Sequence, residues 1–238
     1  MKLINQKITS SNINNVLHDL NSNATSSRLN FFWLGIQNYQ IIYLLQQKIH
    51  QLVKYGKMND IVLLLEHNHV YTFGKNSDKN NLLLTYPDDV GIADSDRGGE
   101  VTYHGPGQLV GYPIINLNNY KKSISWYIRI LEQVIMDCLY KLQIESKRLD
   151  GLTGVWVKEN KICAFGVRIA QWTTMHGFAL NIKPSMHYFD GIIPCGLNNH
   201  GITSIFNQLD QHFNTQEIAH MVKEEFVNLF KKQVIYEV

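Results

Sequence analysis

The sequence predicts an α/β (α+β) protein, a single domain in which helices flank one mixed β-sheet. Three amphipathic helical stretches alternate irregularly with many short apolar runs that are typical of buried strands. No repeat or low-complexity linker marks a second domain after about residue 30. Of the 238 residues, 45% are hydrophobic and 18% are charged, so the chain can form a large core without a disulfide or a metal.

Residues 1–30 differ from the rest because they are rich in Asn and Ser and lack a sustained hydrophobic period. Terminal segments of this kind are often weakly packed. We therefore expect a poorly ordered or loosely docked N-terminal arm over residues 1–30, and one folded domain over residues 31–238.

The helices are predicted from apolar residues at steps of three and four. The first covers about 37–55 and ends before Gly56, and the second covers about 123–142 with Cys138 on its apolar face. The third covers about 215–231, where Asn214 and Glu217 have the spacing of a capping box.

Strands are predicted where short apolar runs lie between polar residues, Gly and Pro. The clearest two are 61–65 and 70–73. The further predicted strands are 82–85, 100–104, 108–116, 154–158, 161–169, 174–182 and 234–238.

Composition argues against several classes of function. The net charge of +2 lacks the basic excess of most duplex-binding proteins, so we expect no nucleic-acid partner. The longest aliphatic run, 61–65, is far shorter than the about 20 residues that cross a bilayer, and no secretory signal is visible at the start. Three cysteines without a CxxC spacing favour a reduced, cytoplasmic protein.

The three cysteines differ in local context. Cys138 lies in a helical stripe and Cys163 in a strand-like run, so both are expected to fill the core. Cys195 lies between Pro194 and Gly196, outside any periodic run, and reactive side chains concentrate in such loops. It is the best candidate for a nucleophile, although a single cysteine is a weak signal by itself.

A thiol nucleophile needs a nearby cation or base, because a free thiol titrates near about 8.5 and only a small fraction is thiolate at neutral pH. Periodicity does not choose among the candidates for this role. They are His104, His176, Lys158, Lys161 and Arg168.

Residues 97–108 are unusually rich in glycine. The stretch has neither the GxGxxG nor the GxxxxGK[ST] arrangement, so it lacks the usual signature of a nucleotide phosphate site. A tight hairpin and the wall of a substrate pocket both remain open. A metal site is not expected at Glu66-His67-Asn68-His69, because zinc sites need three or four ligands at ordered spacing.

Taken together, the motifs resemble those of the octanoyl-acyl-carrier-protein:protein N-octanoyltransferases, the lipoate-protein ligase B type. Six pieces in the family's order, within about residues 33–206, carry the resemblance. They are 34–35 with Tyr39, 66–74, 97–113, 154–157 with Lys161-Ile162, 176–181 and 193–196.

The resemblance implies a domain like that of biotin- and lipoate-protein ligases, with no metal or cofactor. It also implies that Cys195 carries the acyl thioester and that Lys161 lowers the pKa of that thiol and acts as acid and base. The implied substrate-lining segments are Arg97, Gly98, Gly99, Glu100, Val101, Thr102, Tyr103 and His104; Ala164, Phe165 and Gly166; and Gly177, Phe178 and Ala179.

The implied reaction moves an octanoyl group from octanoyl-acyl carrier protein to a lysine of a lipoyl domain. The implied acceptors are the lipoyl domains of 2-oxoacid dehydrogenase complexes and the glycine cleavage H protein. Acyl carrier proteins are typically acidic, so a basic rim would steer them. The candidates for that rim are Lys121, Lys122, Lys147, Arg148 and Lys158.

Two other functions remain open. One is an ATP-dependent lipoate ligase or an enzyme that exchanges octanoyl amides. The other is a catalytically silent module that binds acyl carriers, which the presence of both Cys195 and Lys161 disfavours.

Overall fold

The computed structural model of the chain describes residues 1–4, 6–25, 27–193 and 200–231. Twelve strands are described in these residues. They are β1 (Lys2–Leu3), β2 (Leu29–Gln37), β3 (Asp60–His67), β4 (Val70–Phe73), β5 (Gly91–Asp94), β6 (Thr102–His104), β7 (Gln108–Ile114), β8 (Lys147–Leu149), β9 (Leu152–Val157), β10 (Asn160–Ala170), β11 (Thr173–Asn181) and β12 (Gly201–Ile202).

The strands form a large mixed sheet and a small one. The large sheet has the order β1-β2-β3-β7-β11-β10-β9-β8, and β12 pairs with β10 beside this path. Its first three strands are parallel, as are β10 and β12, and the other neighbours are antiparallel. The small sheet has the order β5-β4-β6.

Five α-helices accompany the sheets in the described part of the chain. They are α1 (Ile13–Ser22), α2 (Tyr39–Lys54), α3 (Ile124–Lys141), α4 (Ile205–Leu209) and α5 (Thr215–Lys231). None of the described helices is long and apolar enough to cross a membrane.

Helix ends are set by local hydrogen bonds. The Asn38 side chain accepts the Ile41 N–H at 3.2 Å and begins α2. At the start of α5, Glu217 accepts the Asn214 N–H at 3.3 Å. The Asn214 side chain accepts the Gln216 N–H at 2.8 Å, so the predicted capping pair is confirmed with its second bond one residue earlier than in the standard box.

The large sheet is covered on both faces. Alternate residues of β3 show this, because Ile61, Leu63 and Leu65 pack with α1 and α2, whereas Val62 and Leu64 pack with α3 and α5. A strand buried on both faces shows a continuous aliphatic run instead of alternation. The predicted mixed sheet with helices packed on it is confirmed.

The structure differs from the expectation for residues 1–30. Within α1, Ile13, Val16 and Leu20 are buried in the same cluster as α2, and β1 pairs with β2. These apolar residues recur at steps of three and four, but the Asn and Ser residues between them hide the stripe. The described part of this segment is therefore packed against the domain and is not a loosely docked arm.

The other differences are local. The long strand β2 was not expected, because the run from Phe31 to Leu34 is buried on both faces and does not alternate. Residues 82–85 form one isolated bridge, Leu82 with Ile192, followed by a turn, and are not a strand. The predicted strand 234–238 lies outside the described residues.

A buried carboxyl group lies at the start of β3. Asp60 accepts the Asn116 N–H at 2.8 Å and the Tyr120 hydroxyl at 3.0 Å. Burial raises the pKa of Asp60 to about 7, although both hydrogen bonds and the charge of Arg28 act to lower it. An unfolded aspartate has a pKa of about 3.9.

We expect Asp60→Asn to gain stability relative to the wild type as pH rises from about 4 to about 7. In this window the unfolded carboxyl has lost its proton and the folded one retains it, so the free energy of unfolding of the wild type falls as pH rises. The free energy of unfolding of the variant, relative to that of the wild type, should have risen by about 2–4 kcal/mol above about pH 7. Urea unfolding at several pH values measures this rise. Asp150→Asn is the control, because the carboxyl of Asp150 is exposed. Its free energy of unfolding should vary with pH as that of the wild type does. A pH-independent difference for Asp60→Asn would contradict the prediction.

Candidate active site

Two adjoining cavities lie between the large sheet and strand β6. They share the lining residues Thr102 of β6, Ala164 of β10 and Ala179 of β11. The histidine cavity, with about 480 Å³ of empty space up to open solvent, is also lined by His104 and His176. The lysine cavity, with about 460 Å³, is also lined by Lys161.

Most of the predicted substrate-lining residues line the histidine cavity. They are Arg97, Gly99, Glu100, Thr102, His104, Ala164, Phe165, Gly166, Gly177, Phe178 and Ala179. Three do not: Val101 and Tyr103 are buried in the cluster beneath the small sheet, and the Gly98 N–H donates to Val167 O at 3.0 Å. The binding role of each residue stays a prediction.

The glycine-rich segment forms a wall and not a tight hairpin. Strand β6 pairs with β4 of the small sheet, whereas β7 pairs with β3 and β11 of the large sheet. Arg97 is anchored here, since its guanidinium donates to the carbonyl and hydroxyl oxygens of Thr72 and to Gly98 O.

The floor of the cavities is a strip of small residues. Strands β10 and β11 pair Ala164 with Ala179 and Gly166 with Gly177. Side chains alternate along a strand, and the large neighbours Phe165 and Phe178 pack into the core on the other face. The strip therefore adds little side-chain volume to the cavity, although Gly98 O and Arg97 lie close to Gly166.

Gly177 has no room for a side chain. A Cβ atom there would stand 2.2 Å from Gly111 O and 2.6 Å from Pro113 Cδ. The close approach of β7 and β11 at the cavity floor therefore requires glycine at this position.

Two buried histidines near the cavity are neutral. His67 donates from Nδ1 to Gln37 O at 3.0 Å and accepts the Tyr112 hydroxyl at Nε2, at 2.8 Å. Burial lowers the pKa of His67 to about 4. Burial and the neighbouring His67 lower the pKa of His104 to about 3, and its Nδ1 donates to Gln108 Oε1 at 2.7 Å.

A third histidine, His176, pairs with a carboxylate. Its Nε2 lies 2.7 Å from Asp96 Oδ1, and Arg168 Nε lies 3.2 Å from Asp96 Oδ2. Burial lowers the pKa of His176 although Asp96 acts to raise it. The backbone φ of His176 is 59°, a left-handed value that non-glycine residues rarely adopt.

Lys161 is fixed between two strands. It pairs with Trp156 of β9 and with Ile202 of β12, and its Nζ lies 4.8 Å from the centre of the Trp156 ring. Within the described residues its ammonium has no carboxylate partner. Trp156 also contacts the ring of His200, with 5.1 Å between the ring centres.

The predicted nucleophile, Cys195, lies outside the described residues. The other two cysteines are buried, and burial raises the pKa of Cys138 to about 12 and that of Cys163 well above its usual value. Both are core residues, as predicted.

The candidate helpers of a thiol fall into two groups. Lys161, His104 and His176 line the cavities. Lys158 lines a separate surface groove, and Arg168 is paired with Asp96.

The two histidines of the 66–69 segment, His67 and His69, bond to different partners and do not meet at one site. His67 is bonded as described above, whereas Nδ1 of His69 lies 2.7 Å from the Tyr103 hydroxyl. No cluster of three His, Cys, Asp or Glu that could hold a metal is found in the described ranges.

Several lining residues were not predicted. The residues are Tyr39, Gln108, Tyr112, Asn181, Phe189, His200, Gly201 and Ile202. Tyr39, Gln108, Tyr112 and Asn181 belong to the motif pieces that carry the resemblance, which was the available signal. The others come together only through the pairing of β12 with β10 and the turn at Met186–Gly191.

Comparisons with known proteins found a matching family and several similar proteins. The lipoyl protein ligase A/B catalytic domain family matches residues 38–227. An octanoyltransferase of Solibacter usitatus is 42% identical over 208 residues, 85% of this chain and 93% of that protein. An octanoyltransferase of Christiangramia forsetii is 42% identical over 185 residues, 74% of this chain and 79% of that protein.

A solved structure of lipoate-protein ligase A bound with ATP matches with a TM-score of 0.70 at 14% identity, over 87% of this chain and 86% of that one. This match confirms the predicted ligase-like fold.

We expect Gly177→Ala to destabilise the protein by at least about 1–3 kcal/mol, because the new Cβ would collide with the backbone of β7. Urea unfolding would measure the loss. The matched control is Gly91→Ala, where a Cβ meets only ordinary contacts at 3.6 Å or more, and its change should stay within about 0.5 kcal/mol. Equal stability of the two variants would show that β7 and β11 need not approach so closely.

Proposed function

Because the chain belongs to the lipoyl protein ligase A/B catalytic domain family, we propose that this acyltransferase moves an octanoyl group from a carrier-protein thioester to a lysine of a lipoyl domain. The observation that carries the proposal is the junction of two cavities. An apolar strip lined by Ala164 and Ala179 leads directly to the cavity of Lys161.

The strip suits a straight alkyl chain. Its floor consists of Ala164, Gly166, Gly177 and Ala179, which add little volume above the sheet. Each methylene buried from water contributes about 0.8 kcal/mol. The acyl chain would lie along this strip, with its reactive carbonyl at the Lys161 end.

We propose Cys195 as the nucleophile. His200, the first described residue after its segment, lines the lysine cavity, which supports this assignment. The thiolate attacks the carrier thioester, a tetrahedral intermediate forms, and its collapse breaks the bond to the carrier sulfur, which leaves as a thiol with the proton that the Lys161 ammonium gives up. The enzyme then holds an octanoyl thioester.

The lysine amine of the acceptor attacks this second thioester and releases the Cys195 thiolate. Lys161 serves both steps in the proposal. As an ammonium it favours the thiolate by Coulomb attraction. As a neutral amine it takes the proton that the attacking lysine loses. One thioester replaces another in the first step, so the transfer needs no ATP.

The proposed partners are octanoyl-acyl carrier protein as donor and lipoyl domains as acceptors. Of the basic residues expected on a docking rim, Arg148 pairs with buried Glu132 at 2.8 Å and Lys147 pairs with Glu159. The exposed Lys121, Lys122 and Lys158 remain available for an acidic carrier. We propose a reducing compartment such as the cytoplasm, because a thiol nucleophile must stay unoxidised.

The intermediate gives the first test. Mixing the protein with octanoyl-acyl carrier protein, without ATP, should add one octanoyl group to its intact mass, and hydroxylamine should remove it. Cys195→Ala should gain no mass and should not transfer, because it has no thiol to acylate. Cys138→Ala should behave as the wild type, because that thiol is buried.

Other outcomes would favour other functions. Acylation of a lipoyl domain that requires ATP and free octanoate would indicate a ligase. Binding of the carrier without acylation or transfer would indicate a silent binding module. Full turnover by Cys195→Ala would overturn the nucleophile assignment.

The second test concerns Lys161. An ammonium near a thiolate typically lowers the thiol pKa by about 1–3. We therefore expect Lys161→Ala to shift the pH profile of Cys195 alkylation by iodoacetamide upward by about 1–3 pH units. Lys161→Arg should keep much of the wild-type profile, since it keeps the charge.

Lys158→Asn is the matched control, because it removes a lysine that lines a different groove and has a left-handed backbone that Asn tolerates. It should leave the profile unchanged. An unchanged profile in Lys161→Ala would remove the proposed effect on the thiol.

A further inference from the structure

One residue of β11 points its side chain against the alternation of the strand. Regular alternation would turn His176 to the face of Phe178, in the core with α3 and α5. Its φ of 59° instead turns the ring toward the opposite face. There the ring stacks on Tyr43 of α2, with 5.5 Å between ring centres, and meets the edge of Tyr112.

Two hydrogen bonds hold this unusual backbone and ring in place. The His176 N–H donates to Gln46 Oε1 at 3.0 Å, and Nε2 pairs with Asp96 at 2.7 Å. The side chain is only 2% exposed. A left-handed backbone at a non-glycine residue costs about 1–3 kcal/mol and persists where the surroundings determine it, often at functional sites.

The ring lies next to the end of the small-residue strip. Along β11 the order is Ala179, then Gly177, then His176. Ala179 borders both cavities, Gly177 and His176 border only the histidine cavity, and Lys161 borders only the lysine cavity. A chain that starts at Lys161 and follows β11 therefore passes Ala179 and Gly177 before it reaches the imidazole of His176.

Resting on the proposed function, we infer that the His176 ring is the end wall that sets the length of the acyl chain. The left-handed backbone places an aromatic ring immediately beyond two residues without bulky side chains. A chain of the fitting length ends against the ring, and a longer chain collides with it. His176 is thus a specificity-determining residue and need not transfer a proton.

Two other polar rings of the cavity, those of Tyr112 and His104, are less suited to this role. Tyr112 and His104 come from β7 and β6 and are tied to His67 and Gln108. His176 alone among these three lies on β11, the strand that carries Gly177 and Ala179. The position of the His176 ring is also well fixed, because Gln46 of α2 and Asp96 both hydrogen-bond to His176.

The experiment is a competition among acyl donors. Full-length wild type and variants receive equal amounts of octanoyl-, decanoyl- and dodecanoyl-acyl carrier protein, and the acyl-lysine products on a lipoyl domain are counted by mass. His176→Gly removes the ring and relaxes the left-handed backbone. It should raise the ratio of decanoyl to octanoyl transfer by about tenfold or more, because one methylene in a fitted apolar pocket is worth about 10–200-fold.

His176→Asn is the second variant, since Asn tolerates a left-handed backbone and has a shorter side chain. His176→Asn should also raise the ratio of decanoyl to octanoyl transfer, but by less than His176→Gly does.

His50→Asn is the matched control. His50 is also buried, contacts β11 through Thr173 O at 3.2 Å, and lines neither cavity. It should keep the wild-type length profile even if its melting temperature falls.

The outcomes separate this inference from the proposed function. No transfer of any acyl group by the wild type would overturn the proposed function itself. Normal octanoyl transfer with an unchanged length profile in folded His176→Gly and His176→Asn would overturn the end-wall inference. An equal loss of rate for all lengths would also overturn it and would indicate a role in the chemical step.

Discussion

Two cross-strand pairs of small residues, Ala164 with Ala179 and Gly166 with Gly177, hold a strip of the large sheet free of side-chain volume. Side chains alternate between the two faces along a strand. Phe178, which lies between Gly177 and Ala179, therefore packs on the other face with α3 and α5, so the position of the strip and the packing of the core depend on each other. The strands cannot shift by one residue without burying glycine in the core and filling the cavities with phenylalanine. The same register therefore fixes the stability of one face and the shape of the site on the other.

The two cavities also differ in the charge of the groups around them. Around the histidine cavity, burial keeps His67 and His104 neutral, and each imidazole has a hydrogen-bond partner. Neutral, satisfied polar groups cost far less beside an alkyl chain than an isolated charge would. The lysine cavity instead holds Lys161. In the proposed reaction, the histidine cavity receives the chain, with its Arg97 guanidinium bonded to Thr72 and Gly98, and the Lys161 cation stands where the thiolate and the tetrahedral oxyanion form.

The sequence predicted the elements with clear periodicity, including α2, α3, α5 and most strands. It missed α1 because polar residues dilute the stripe of Ile13, Val16 and Leu20. Motif pieces found the glycine-rich wall and Lys161, but pattern does not show side-chain direction. The orientation of His176 depends on a left-handed backbone fixed by distant Gln46, which no local period encodes. The role of Cys195 stays a prediction, since it lies outside the described residues.

The surroundings of Lys161 explain how a flexible side chain can serve in a precise site. Its backbone pairs with Trp156 and Ile202, and its ammonium lies over the Trp156 ring. Gly154 leaves space for it, since a Cβ there would be 3.2 Å from Lys161 Cε. The Gly154 N–H in turn donates to buried Glu132 of α3 at 3.3 Å. These contacts restrict the lysine side chain in the folded protein, which lowers the entropy that the proposed reaction would otherwise lose there. In the proposed reaction, a cation held in this way would serve the acyl carrier and the acceptor lysine as they come in turn to one place.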